Sequence, residues 1–144
     1  MDTASPLVLV TGANGLVGSH ICHALLDRGA RVRALVRRPG TAPQVDGVEE
    51  MVGDVADADD VTRAVDTVAA VVSTVYPLGS SDLELQQRVS IDGTRQLAEA
   101  AVAAGVDLFV HVSTAAVYER EPGTGDVDEQ GVLVDDGAGE YAVT

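Results

Sequence analysis

The run Leu7-Val8-Leu9-Val10-Thr11-Gly12-Ala13-Asn14-Gly15-Leu16-Val17-Gly18 passes from four apolar residues directly into glycines at every third position. The apolar residues have the length and composition of a buried strand. An amphipathic pattern follows over residues 12–28, with Leu16, Val17, Ile21, Leu25 and Leu26 on one helical face. Gly29 stands where a glycine commonly ends a helix. A strand, a glycine turn and a helix in this order need glycine for three separate reasons. Gly12 permits a tight turn out of the strand. Gly15 lets backbone approach a pyrophosphate with no Cβ in the way, and Gly18 lets the helix pack closely on the sheet. The helix N-terminus then offers free N–H groups and the positive end of its dipole to phosphate. These residues are therefore expected to form a dinucleotide site from Thr11, Gly12, Asn14, Gly15, Leu16, Val17 and Gly18. An ordinary strand-to-helix turn is the alternative; a strand before the glycines and a helix after them favour the site.

The same alternation continues along the chain. Residues 32–36, 48–52, 68–75 and 108–112 read as strands, and residues 57–65 and 82–104 as helices. Asp57 is the expected N-cap of the first of these helices, and Gly105 ends the second. Valine-rich strands alternating with helices predict right-handed crossovers and a parallel sheet covered on both faces. The expected class is α/β, a Rossmann-type doubly wound parallel sheet of order 3-2-1-4-5 occupying residues 1–118.

Composition narrows the function. Nine basic and 23 acidic residues leave a formal charge of −14, and every basic residue is arginine. Such a charge repels phosphate backbones, so a nucleic-acid partner is not expected. The 46% apolar content is too high for a disordered chain. No run is long and apolar enough to span a bilayer, and the first residues do not read as a signal peptide. The single cysteine, Cys22, cannot form an internal disulfide, which fits a cytoplasmic location. His20, His23 and His111 lack the spacing of a metal site; His111 reads as a core residue of the fifth strand.

The acid is concentrated late in the chain. Between positions 119 and 140 eight carboxylates face Arg120 alone, a local charge of −7. Five glycines lie in the same stretch. Residues 119–144 are therefore expected to form an acidic, solvated loop leading toward Tyr141.

Thr11-Gly12-x-x-Gly15-x-x-Gly18 resembles the signature of the extended short-chain dehydrogenase/reductases, the NAD(P)-dependent epimerase/dehydratase type. Further stretches carry the same resemblance. Residues 109–118 (Phe-Val-His-Val-Ser-Thr-Ala-Ala-Val-Tyr) are similar to the family's fifth-strand motif, and Thr114 matches its catalytic Ser/Thr. Tyr141, 27 residues later, matches the tyrosine of Tyr-x-x-x-Lys. The resemblance implies hydride transfer between nicotinamide C4 and a small-molecule alcohol or carbonyl. In that chemistry a nearby ammonium lowers the phenol pKa so that Tyr141 can exchange a proton with the reacting oxygen. The matching lysine would follow Thr144. The expectation is that the chain is the N-terminal part of a longer enzyme, before its sixth strand and substrate lobe. The 144 residues alone are then expected to be inactive. The family also pairs long helices, which implies a possible homodimer through residues 82–104.

Cofactor choice rests on the end of the second strand. An acid gripping the adenosine ribose normally lies about 20 residues beyond the glycine turn. Here that place reads Leu35-Val36-Arg37-Arg38-Pro39, without a carboxylate, and Arg37 lies 19 residues after Gly18. A guanidinium suits a 2′-phosphate, which favours NADP over NAD, with NAD still possible. Solvated arginines after a turn are the alternative. Gly53-Asp54-Val55 resembles the family's adenine contact, and Asp54 also suits an Asx turn. Ser73, Thr74 and Val75, at the end of the fourth strand, occupy the place where the family brings small residues close to the cofactor. Ser90 stands where the family has an asparagine. That departure supports a second reading, a non-catalytic NAD(P)-binding redox-sensing module or an inactive fragment.

Overall fold

β1 (Leu7–Thr11) is buried along its whole length and lies at the centre of a five-stranded sheet. The structure, a computed structural model, describes residues 5–77, 81–119 and 125–134. It divides into two compact units, Met1–Val112 and Ser113–Thr144.

In the first unit, β2 (Arg31–Val36), β3 (Val48–Val52), β4 (Ala70–Ser73) and β5 (Leu108–His111) join β1 in the order β3-β2-β1-β4-β5. Every pairing is parallel, with Val8 opposite both Val32 and Ala70, and Thr11 opposite both Leu35 and Ser73. The expected doubly wound order is therefore the one observed. Alternate side chains of the sheet feed two cores. Leu9, Val71 and Leu35 pack with Val61 and Leu97 of the helices on one face. Val10, Val32 and Ala34 pack with Cys22 of α1 (Leu16–Leu26) on the other. Burial pushes the Cys22 thiol up to about 11, so it remains a neutral filler.

Local chemistry sets the helix ends. Gly29, at φ +81°, closes α1: its N–H donates to Leu26 O and the Ala30 N–H donates to Leu25 O. That is a Schellman ending, which requires a left-handed residue. Asp57 caps α2 (Ala58–Val65) by accepting from the Asp59 and Asp60 N–H groups, each at 3.0 Å. Arg33, a charge in the middle of β2, serves the other end of α2. Its guanidinium donates to the carbonyls of Ala64 (3.0 Å) and Asp66 (2.7 Å) and pairs with Glu49. A cation among the last carbonyls of a helix is favoured.

Four expectations are corrected. The first helix begins at Leu16 rather than near Gly12, because residues 12–15 close a turn through Gly15 N–H donating to Gly12 O at 2.9 Å. Leu16 and Val17 consequently stand 78% and 51% exposed, outside the core face assigned to them. The long helix is not uniform. α3 (Leu83–Gln86), capped by Asp82, passes into a π-helical segment (Gln87–Asp92) and then α4 (Gly93–Ala103). The register shift defeats a fixed 3.6-residue period. β4 is shorter than expected. Finally, β5 keeps the edge position that the order 3-2-1-4-5 assigns it, but it is not covered on both faces. Leu108, Val110 and Val112 are exposed on one face, and His111 is exposed rather than in the core. Among the described residues it pairs with β4 alone.

In the second unit, Thr114 caps a 3-10 turn (Ala115–Val117). Residues 117–119 return antiparallel to 132–134 through Glu119 N–H to Val132 O (2.8 Å) and Val134 N–H to Val117 O (2.9 Å). The acidic segment thus contains a short pairing rather than loop alone. Asp128 accepts from the Gln130 N–H at 2.9 Å in the turn between. No described helix is long and apolar enough to cross a membrane.

Candidate functional site

A cleft of about 730 Å³ opens where the carboxyl ends of β1, β2, β3 and β4 meet the N-terminus of α1. A crevice beyond the carboxyl ends of the strands, at the point where the sheet order reverses, is the usual ligand position in such sheets. From the glycine turn, Gly12, Asn14, Gly15, Leu16, Val17 and Gly18 line it. Arg37 enters from β2, Asp54 and Val55 from β3, and Thr74 and Val75 from β4.

Thr11 and Ser73 do not line the cleft. Both are buried beneath it, as cross-strand neighbours. Thr11 acts through its carbonyl, which accepts from the Thr74 N–H (3.3 Å) and hydroxyl (2.8 Å). Their inward direction follows from the alternation of β1 and β4, whose Leu9 and Val71 face the same core. The Thr11 and Ser90 hydroxyls have no hydrogen-bond partner among the described residues.

The glycines can be tested for the roles assigned to them. A Cβ on Gly12, whose φ is +71°, would lie 2.7 Å from Thr74 Oγ1. A Cβ on Gly18 would stand 2.7 Å from the Gly12 carbonyl carbon and 3.0 Å from Ala13 Cα. Gly18 is therefore the close-packing position. A Cβ on Gly15 would meet only the Gly12 carbonyl oxygen, at 3.2 Å. The N–H groups of Leu16, Val17 and Gly18 lack acceptors within their own helix, as the first turn of any helix does. The arrangement fits the pyrophosphate of a dinucleotide: glycine-shaped backbone, free donors and a positive helix end.

The opposite end of the cleft carries charge. Arg37 and Arg38 both line it and both are exposed. The Gly53-Asp54-Val55 loop beside them is tightly held. Asp60 Oδ2 accepts from the Asp54 N–H at 2.9 Å, and Asp54 Oδ1 accepts from the Ala56 N–H at 3.0 Å. A Cβ on Gly53 would lie 3.0 Å from both Asp60 and Leu35. The Asx turn at Asp54 is thus present. The Asp54 backbone N–H and the neighbouring Arg63 hold the Asp60 carboxyl below its ordinary value of 3.8. Such a group stabilises the fold above its unfolded pKa, and that contribution is lost as pH falls through the folded value. Thermal stability is expected to hold near neutrality and fall below about pH 4. Asp60→Asn should flatten that acid limb, as read by melting temperature across pH. An acid limb as steep as that of the parent would sink the assignment.

Leu35, Val36, Arg38, Gly53, Tyr76, Pro77 and Val89 were not among the expected site residues, yet they line the cleft. Arg38 and Gly53 adjoin residues that were expected. Val89 arrives from the π-helical segment, which no periodicity marks. Of the two expected catalytic residues, Thr114 lies in the second unit, where its Oγ1 accepts from the Ala116 N–H at 3.3 Å. Tyr141 lies outside the described residues.

A glycine-turned helix N-terminus at the switch point of a parallel sheet defines a dinucleotide-binding α/β protein. The sequence profile of the NAD(P)H-binding family matches residues 12–141, and this chain belongs to that family. It is 37% identical over 118 residues to the 3 beta-hydroxysteroid dehydrogenase/Delta 5-->4-isomerase of Mycobacterium tuberculosis, covering 76% of this chain and 32% of that protein. It is 36% identical over 121 residues to the ceramide reductase of Caulobacter vibrioides, covering 83% and 37% respectively. A short-chain dehydrogenase/reductase superfamily protein from Agrobacterium tumefaciens, solved with bound NAD, superposes with a TM-score of 0.80 at 33% identity. That match covers 94% of this chain and 40% of the other. The chain spans about a third of the length of the curated relatives it matches.

Proposed function

We propose that this chain is the dinucleotide-binding part of an NADP-preferring oxidoreductase or epimerase/dehydratase acting on a small-molecule alcohol or carbonyl. The observation that carries the reading is the cleft itself. Its glycine turn fits a pyrophosphate at one end, and its two arginines fit a 2′-phosphate at the other. When bound, the nicotinamide supplies the hydride acceptor or donor. The glycine turn and α1 hold the phosphates, Asp54 and Val55 hold the adenine, and Arg37 grips the ribose phosphate. Thr114 would orient the reacting oxygen by hydrogen bonding, and Tyr141 would exchange its proton. Exposed Leu83 (55%) and Val102 (80%) on the 82–104 helical stretch support a homodimer through it. The lone buried cysteine suits a cytoplasmic protein.

A phenol at its reference pKa near 10 is a poor base at neutral pH, and no lysine exists in these 144 residues to lower it. The chain is therefore expected to bind NADPH, seen as a change in nicotinamide fluorescence, yet to catalyse no NADPH oxidation with ketone substrates. Absence of NADPH binding would sink the proposal. Turnover by the 144 residues alone would sink the lysine requirement. A regulator that senses the dinucleotide is the second reading. It is favoured by Ser90 standing buried and unpartnered among the described residues, at the position where the resemblance implies an asparagine.

A further inference from the structure

Glu50, on β3, is not part of the cleft, yet it holds the loop that carries the two arginines. Its Oε1 accepts from the Gly40 N–H at 2.7 Å, and its Oε2 accepts from the Ala42 N–H at 3.0 Å. Gly40 has φ +75°, a left-handed conformation that glycine adopts without strain. Thr41 Oγ1 donates to the Arg38 carbonyl at 2.7 Å, and Ala42 is buried at 4% exposure. The backbone from Arg38 to Ala42 is therefore pinned at successive residues. Hydrogen bonds to Gly40 and Ala42 also hold the Glu50 carboxyl below its usual range.

We propose that Glu50 is a positioning residue for 2′-phosphate recognition. The inference rests on the NADP reading above. Two converging backbone N–H groups form a natural anion notch. Glu50 fills that notch with the chain's own carboxylate, so an incoming phosphate is left to the guanidinium groups. The pinned backbone fixes the start of the Arg37 and Arg38 side chains. Fewer degrees of freedom then remain to be ordered when a ligand binds. A glutamine at position 50 has one acceptor oxygen in place of two. Its amide would face one of the two N–H donors with another donor.

Isothermal titration calorimetry on the 144-residue chain tests this with 2′-phospho-ADP-ribose and ADP-ribose as probes. In the parent, tighter binding of the phosphorylated probe is the result the NADP reading requires. Equal affinities would overturn that reading, and this inference with it. Given the preference, Glu50→Gln is expected to weaken the phosphorylated probe about tenfold, the scale of one charge-assisted hydrogen bond, and ADP-ribose less than about twofold. In a background with both Arg37→Ala and Arg38→Ala the same change should cost less than about twofold, because the groups it positions are gone. Equal weakening of both probes would reveal a merely structural role, and tighter binding of the phosphorylated probe would reveal simple repulsion. Either overturns the proposal while leaving the NADP reading intact. Should Glu50→Gln not fold, Glu50→Asp retains the charge and withdraws it by one methylene. A smaller, equally selective loss is expected of it, and an unselective one overturns the proposal.

Discussion

Gly18→Ala is expected to abolish measurable dinucleotide binding and to destabilise the first unit by about 2 kcal/mol. In an ordinary helix the change would stabilise by up to about 1 kcal/mol, because alanine loses less backbone freedom on folding. Here the new methyl would meet the carbonyl carbon of Gly12 and the Cα of Ala13, which are backbone atoms with no rotamer to change. Relief requires α1 to lift away from the turn, which moves the N–H groups of Leu16, Val17 and Gly18 together. Losing two charge-assisted hydrogen bonds corresponds to about 100-fold or more in affinity. Gly29→Ala is the matched control. Its φ of +81° makes alanine strained, but nothing lies within 4 Å of the added atom, and the position is outside the cleft. It should cost about 1 kcal/mol and leave binding unchanged. Melting curves and NADPH titrations on both variants check the pair. Binding by Gly18→Ala within threefold of the parent would refute the close-packing role.

Arg37→Ala is expected to weaken NADPH by about 30- to 100-fold while changing NADH less than about threefold, the scale of one bidentate guanidinium–phosphate contact. Arg37→Asp should go further and reverse the preference, since a carboxylate repels the 2′-phosphate and accepts hydrogen bonds from an unmodified ribose. The side chain is exposed, so the NADPH advantage should shrink as salt rises. Arg38 lines the same cleft and leaves a residual preference in the alanine variant. Dissociation constants for both dinucleotides at low and high salt measure this directly. Equal losses for NADPH and NADH would remove the phosphate-binding role and leave Arg37 as a solvated residue.

The pyrophosphate end of the site was legible because its requirements are local. Gly12, Gly15 and Gly18 are spaced by the turn they make, and each role can be checked against atoms a few residues away. The place of Arg37 on the cleft was legible for the same reason, at a fixed distance from that turn at the end of the next strand. Residues that act through other elements were not legible. Glu50 reaches backbone donors on a loop eight and ten residues earlier, and Asp60 reaches back to the Asp54 N–H. Both read in sequence as ordinary solvated acids. Val89 enters the cleft through a π-helical shift, and Leu16 and Val17 leave the core because the helix starts late.

The order of strands and helices and the parallel sheet were written in local sequence, and so was the place of the glycine turn within that sheet. Apolar period, cap residues and glycine spacing act over a few residues, and right-handed crossovers leave few ways to assemble the result. Which face each strand end presents was settled by packing between elements distant in sequence. Thr11 and Ser73 turned inward while Thr74 met the cleft, because pleat alternation sends neighbours to opposite sides. Tertiary structure likewise decided that two distant carboxylates hold the loops beside the cleft. Those outcomes depend on which elements lie across from one another, and no local spacing encodes that.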